Sequence, residues 1–232
     1  MFRLLTNSFV ILISAGLMVS GCSPRISKGV RKKDIEKDIE ILTDKGRMVA
    51  RLSDSTPLHR NNFIRLVKSH FYDGISFHRV INGFMVQGGD PATKNPKDTV
   101  DKTRIPAEFR QTLFHKKGVL AAAREGDDSN PKKGSSYSQF YLVQGRVFTD
   151  ESLDSTETFR LKGRKLPAAH REVYKTLGGT PHLDQNYTIF GEVIKGVGVI
   201  DSIAAVQTTG KGKGDRPLTR VNIIRMKLIP RK

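Results

Sequence analysis

From Lys37 onward the chain is dominated by short runs in which apolar and polar residues alternate, and these predict strands. Ile39 and Ile41 alternate with polar neighbours, Asp44-Lys45-Gly46 supplies a turn, and Met48, Ala50 and Leu52 alternate again, the pattern of a hairpin. The period then changes. Ser55-Thr56-Pro57 reads as a helix start with proline in the first turn, Phe63, Leu66, Val67 and Phe71 fall at helical spacing, and Tyr72-Asp73-Gly74 ends the helix. Further apolar runs bounded by turn residues follow at 75–81, 84–87, 118–123, 139–143, 187–194 and 221–229. Many short strands with few helices predict a mainly β fold, an antiparallel barrel or sandwich. A barrel would remove the exposed edges that such strands otherwise present.

Two segments break the strand rhythm. Residues 149–178 read as a helical insertion, with Asp150, Glu151 and Asp154 in its first turns and a second start at Pro167. From there Ala169, Val173 and Leu177 recur every fourth residue up to Gly178-Gly179, a helix stop. The second segment, 197–205, is short and amphipathic and precedes the glycine-lysine loop 208–215.

The amino terminus carries a separate message. Arg3 precedes an apolar run from Phe9 to Val19, shorter than the roughly 20 residues that span a bilayer but suited to the core of a signal peptide. Val19-Ser20-Gly21-Cys22 follows and resembles the lipobox of bacterial lipoproteins, in which the cysteine is acylated and becomes the new amino terminus. Cys22 is the only cysteine, so no disulfide framework is available, and lipidation with palmitate gives the unpaired thiol a purpose. The expected organisation is a signal peptide over 1–21, a lipidated terminus and basic tether over 22–36, and a folded domain over 37–232. Ser23 beside Cys22 favours the outer membrane, with the domain facing the periplasm.

Composition changes the picture less. A net charge of +17 favours acidic partners, such as an anionic membrane face, as much as it describes a solvated lysine-rich surface. The six histidines form no H-E-x-x-H, and no cysteine accompanies them, so no metal site is expected. The glycine-lysine loop lacks the spacing of a phosphate-binding loop, and nothing marks one serine as a nucleophile. What remains is chemistry by a hydrogen-bonding cation in an apolar cleft. Residues 77–90, FHRVINGFMVQGGD, offer such a cation, Arg79, and an amide, Gln87, within an otherwise greasy run.

That run closely resembles the signature of the cyclophilins, peptidyl-prolyl cis/trans isomerases. The likeness continues, in family order, through Gly118 to Ala123, Ser138-Gln139-Phe140-Tyr141, His182-Leu183-Asp184 and Phe190-Gly191-Glu192-Val193. It implies a closed antiparallel eight-stranded barrel capped by two helices. It also implies a catalytic pair, Arg79 and Gln87, with Gln87 hydrogen-bonding Arg79 or the substrate carbonyl. Substrate would be bound by Phe84, Met85, Ala123, Arg124, Tyr141, His182, Leu183 and Tyr187, with Phe84, Met85, Tyr141 and Leu183 as the proline socket and the backbone of Arg124 holding the peptide extended. The resemblance implies no cofactor, a monomer, proline-containing polypeptide clients and no nucleic acid. With the lipid anchor, this makes the expected function folding assistance to exported proteins in a bacterial envelope. A proline-binding chaperone or scaffold without catalysis is the alternative.

The chain departs from the family at several positions. His182 stands where many members carry tryptophan, Tyr187 where histidine is common, and Tyr141 where phenylalanine is common. The loop 124–137 is longer than usual and places Tyr137 where glycine commonly precedes Ser-Gln-Phe, a strained position if it requires positive φ. The insertion lies between Tyr141 and His182, so both its ends lead back toward the substrate groove.

Overall fold

The structure, a computed structural model, describes residues 29–99, 101 and 103–231. The signal segment and Cys22 lie outside the described residues. The predicted hairpin is present as β1 (Lys37–Thr43) and β2 (Gly46–Leu52), followed by α2 (Pro57–Lys68). Next come β3 (Arg79–Ile81), β4 (Met85–Gly88), β5 (Arg104–Ile105), β6 (Val119–Ala122), β7 (Ser135–Ser136) and β8 (Phe140–Val143). The insertion contributes α3 (Asp150–Ser155), a π-helical turn over Thr156–Arg160, and α4 (Ala168–Thr176). The chain closes with β9 (Ile189–Lys195), α5 (Gly198–Ala204) and β10 (Ile223–Pro230).

Eight strands form one curled antiparallel sheet in the order β10-β1-β2-β9-β6-β8-β4-β3, and β5 pairs separately with β7. The sheet is an open half-barrel, which corrects the expected closed barrel. Its edge strands β3 and β10 form no ladder, and only the bridge Ser76↔Asn222 and neighbouring bonds, such as Phe77 N to Val221 O at 2.9 Å, cross the seam. The reason is local: β3 has three residues, and the Val80 amide donates at 2.9 Å to the Asp215 carbonyl of the glycine-lysine loop rather than to a closing strand.

Strand alternation explains why so many runs read as continuously apolar. Val80, Val86, Leu120, Ala122, Phe140 and Leu142 point into the main core, where α2 and α5 cap the sheet with Phe63, Ile64, Ile200 and Ile203. Met85, Val119, Ala121, Ala123, Tyr141 and Val143 alternate with them and form a second cluster on the opposite face. Both faces of β4, β6 and β8 are therefore covered, as in strands buried on two sides.

The last residues of the segment expected to be a tether are folded onto the domain. There, α1 (Lys32–Ile35) is docked on α2: Val30 enters the main core, and buried Asp34 accepts from Lys68 Nζ at 2.7 Å. Val30, Ile35 and Asp34 carry that docking, too few to show as a period.

The insertion folds around its own cluster of Phe148, Leu153, Leu161, Leu166 and Tyr174, joined by Phe114. Its α4 turns a different face inward from the stripe at 169, 173 and 177: Leu177 is exposed, whereas Tyr174 is buried and His170 stacks on Phe114 at 3.8 Å.

Candidate active site

The second apolar cluster is the floor of a groove. Arg79 and Gln87 face each other across β3 and β4, Gln87 faces Tyr141 across β4 and β8, and Tyr141 faces Ala121 across β8 and β6. One row across four strands thus passes from a cation through an amide to an aromatic ring. A hollow of about 150 Å³ sits on this row, lined by Arg79, Phe84, Met85, Gln87, Ala123, Arg124, Tyr141, Leu183 and Tyr187. These are nine of the ten groove residues expected from the sequence. The tenth, His182, lies alongside, stacked on Phe84 with ring centroids 5.5 Å apart.

The floor is apolar and the rim is polar. Met85, Ala123, Tyr141 and Leu183 are buried, whereas the Arg79 side chain is 44% exposed. Tyr187 meets Tyr141 edge to face at 5.9 Å, and the Arg124 guanidinium lies 4.5 Å over the Tyr187 ring. Arg124 Nε donates to the Asn186 carbonyl at 2.7 Å, so this side chain pins the long 124–137 loop to the groove rim. Tyr137, one of the departures, is not among the residues with positive φ and carries no strain. Its carbonyl accepts from Asn62 Nδ2 at 2.7 Å. Beyond Gln87, Ala123 and Arg124 the groove continues into a hollow of about 330 Å³ walled by Arg104, Gly134, Ser136 and Gln139.

Of the two partners expected for Gln87, Arg79 or the substrate carbonyl, the first is not engaged. Gln87 does not bond Arg79: its Nε2 donates to Gln139 Oε1 at 3.1 Å. The partner of Arg79 is Asp215, whose Oδ2 lies 3.5 Å from Nε. That pairing is made at Nε and not at the outer guanidinium nitrogens, and Arg79 lines the hollow. Asp215 sits across the open seam in the glycine-lysine loop, for which the sequence only excluded phosphate-binding spacing.

Sequence reasoning also missed a polar chain beneath the floor. His115 Nε2 is 3.0 Å from Tyr141 Oη, and His115 Nδ1 is 2.9 Å from Asp184 Oδ1, which also accepts from the His115 amide at 2.8 Å. The other carboxylate oxygen accepts from Tyr174 Oη of α4 at 2.7 Å. No local pattern announces this, because His115 and Asp184 are 69 residues apart. Burial pushes the Tyr141 phenol well above its ordinary range, and burial, then the nearby Asp184 charge, does the same for Tyr174. Both hydroxyls therefore stay protonated and available as donors. Among the described residues, no three His, Cys, Asp or Glu side chains cluster as metal ligands.

The family model described as cyclophilin type peptidyl-prolyl cis-trans isomerase/CLD matches residues 38–228, nearly the whole described chain. The chain belongs to the cyclophilin-type peptidyl-prolyl cis-trans isomerases. Curated relatives named "Putative peptidyl-prolyl cis-trans isomerase" agree: one from Staphylococcus epidermidis is 35% identical over 202 residues, covering 86% of this chain and 94% of the relative. Another, from Staphylococcus haemolyticus, is 34% identical with the same coverage. Among solved structures, the Cryptosporidium parvum cyclophilin-type isomerase superposes with a TM-score of 0.61 at 22% identity, covering 84% of this chain and 99% of that one. A second structure of that protein, determined in the presence of the dipeptide Ala-Pro, gives 0.60 at 21% identity. Those two likenesses speak to the fold. In this cyclophilin the insertion meets the turn that carries His182, where Arg164 Nη2 donates to the Asp184 carbonyl at 2.7 Å.

Proposed function

We propose that this cyclophilin isomerises X-Pro bonds in the Arg79 groove, acting on exported polypeptides while tethered to a bacterial membrane through lipidated Cys22. The observation that carries the site is a guanidinium at the lip of an apolar socket: Arg79 lines the same hollow as Phe84, Met85, Tyr141 and Leu183. Rotation about a peptide bond is opposed by about 18–20 kcal/mol, because its partial double bond must be broken. For X-Pro the two end states differ by only about 0.5–1 kcal/mol, so a catalyst need only stabilise the twisted state.

At the twist conjugation is lost, and the proline nitrogen becomes pyramidal with a lone pair that can accept a hydrogen bond. A donor aimed there binds the transition state better than either planar state, which is the condition for acceleration. Arg79 is that donor, with its Nε edge turned to Asp215. Gln87, bonded to Gln139, keeps its amide oxygen and one N–H for the peptide, and the apolar socket holds the proline ring still while the acyl side turns. No proton is transferred and no bond is broken, so the chemistry calls for no cofactor. Proline-containing clients are supported by the family and by the Ala-Pro dipeptide present with the C. parvum relative.

Arg79→Ala is expected to lower the rate of cis/trans exchange in a proline peptide about 10²–10³-fold, the usual loss on removing a preorganised donor. An unchanged rate would refute Arg79 as the donor and with it the assignment of the groove. The envelope reading rests on the Phe9 to Cys22 segment. It is checked by radiolabelled palmitate, whose incorporation should vanish in Cys22→Ala.

A further inference from the structure

The socket floor stands on a polar support that packing alone does not require. Tyr141 presents its ring to the groove, yet its hydroxyl points away from it, to His115 at 3.0 Å. His115, Asp184 and Tyr174 complete a chain in which all four residues are buried, His115 and Tyr174 fully so. Burying four polar side chains beneath an apolar site costs free energy unless each is satisfied, and here the main links are satisfied. The Asp184 carboxylate accepts, so His115 Nδ1 carries a proton and Nε2 of that tautomer accepts from the Tyr141 hydroxyl. Asp184 Oδ2 accepts from Tyr174, the buried residue of α4.

The chain reaches the socket by two routes. Its first end fixes the Tyr141 ring, which lies nearly parallel to the His115 ring at 11° and meets Tyr187 edge to face. Its carboxylate, fixed by three donors, also holds the backbone next to Leu183, another socket residue, and that turn carries His182. From the insertion side Arg164 Nη2 donates to the Asp184 carbonyl at 2.7 Å, so the insertion grips this residue twice.

We infer that His115, Asp184 and Tyr174 are positioning residues: a hydrogen-bonded buttress through which the helical insertion holds the Tyr141 face of the proline socket. Resting on the Arg79 groove being the site of isomerisation, the inference has a kinetic consequence. A proline ring must stay still while its acyl partner turns past Arg79. A socket wall free to rock lets the ring follow, so the nitrogen lone pair and the guanidinium align less often at the twist. Grip on the planar states, shared among Phe84, Met85, Leu183 and Tyr187, changes little. The buttress therefore acts on kcat rather than on KM.

A double-mutant cycle tests it. Tyr174→Phe removes one oxygen from the far end of the chain, and Tyr141→Phe removes the hydroxyl at the near end; each is expected to lower kcat about three- to tenfold with KM changed less than about twofold. The double variant is expected to be no slower than the slower single one, because without the Tyr141 hydroxyl the chain has nothing to hold. Additive losses, or a folded Tyr174→Phe protein with wild-type kcat, would overturn the inference. If Tyr174→Phe fails to fold, His115→Gln runs the same cycle against Tyr141→Phe with the same criteria. Arg79→Ala separates the two levels of the argument. Wild-type turnover there refutes the groove assignment, whereas a slow Arg79→Ala with an additive cycle refutes the buttress alone.

Discussion

His182 is the groove residue whose charge is most tightly constrained. Burial above all, then the positive charge of Arg160, pushes its pKa down from 6.5 to about 4, so the ring that stacks on Phe84 is neutral under ordinary conditions. Neutrality suits an apolar groove, and it explains how an imidazole can stand where many relatives carry an indole. The linkage has a definite sign. The unfolded chain binds a proton near pH 6.5 that the folded chain refuses until about 4, so the contribution of His182 to stability is complete above 6.5 and is lost as the pH falls toward 4. His182→Phe should therefore lose less stability than the wild type between pH 7 and 4.5, as read from urea melts at the two values. Equal losses would mean that the imidazole titrates as freely in the folded chain as in the unfolded one. At this same scale the residues that line the hollow were legible in the sequence as short runs, Arg79 and Gln87 among them. The sequence could not name what holds them, since Asp215, Gln139 and His115 enter from other parts of the chain.

Among the elements, α2 shows how much of a helix is local and how much is not. Its start at Ser55-Thr56-Pro57 and its apolar spacing were legible, yet Thr56 makes no side-chain cap. The first-turn amides of Leu58 and His59 are instead accepted by Glu108 at 3.2 and 3.0 Å, about fifty positions along the chain. The same carboxylate takes His59 Nδ1 at 2.8 Å, and His59 Nε2 reaches Ser135 Oγ at 2.8 Å, tying α2 to the β5 and β7 pair. Burial raises the Glu108 pKa, but the His59 side chain and the two amides outweigh it and leave it low, so the acid is charged and works as a cap. Although Ser135, His59 and Glu108 follow one another like a nucleophilic triad, Ser135 is only 1% exposed and no substrate could reach it. Glu108→Ala is expected to cost about 2–4 kcal/mol, combining a lost helix cap with buried donors left unpaired. The denaturant midpoint reads this out, and Glu108→Gln, which keeps an acceptor, should recover part of it. The strands tell a similar story. Their existence could be read from alternation, but their register is shifted at Leu42/Thr43, Val49/Ala50 and Leu120/Ala121, and such bulges leave no mark on a hydrophobic pattern.

For the whole molecule, the separation into clusters sets what can be removed. The main core lies between the curled sheet and α2 with α5, the groove floor covers the sheet's other face, and the insertion owns a third cluster. The insertion leaves and rejoins the sheet at one place: Arg146 and Gly179 exchange backbone hydrogen bonds of 3.3 and 3.0 Å. Its ends therefore need only a short turn to be joined. Excising residues 148–177 with such a turn should leave a folded half-barrel, because none of the main core residues is lost. It would, however, strip Tyr174 from Asp184 and uncover Phe114, which stacks on His170 and meets Tyr174 edge to face at 5.5 Å. The expected outcome is a protein that isomerises a short proline peptide about three- to tenfold more slowly, matching Tyr174→Phe, with KM little changed. Comparison with an unfolded protein substrate separates two roles for the insertion. Equal losses on peptide and protein would confine it to buttressing the socket. A much larger loss on the protein would show that its exposed surface, where Phe159 is 77% exposed beside Arg160, also contacts the client beyond the proline.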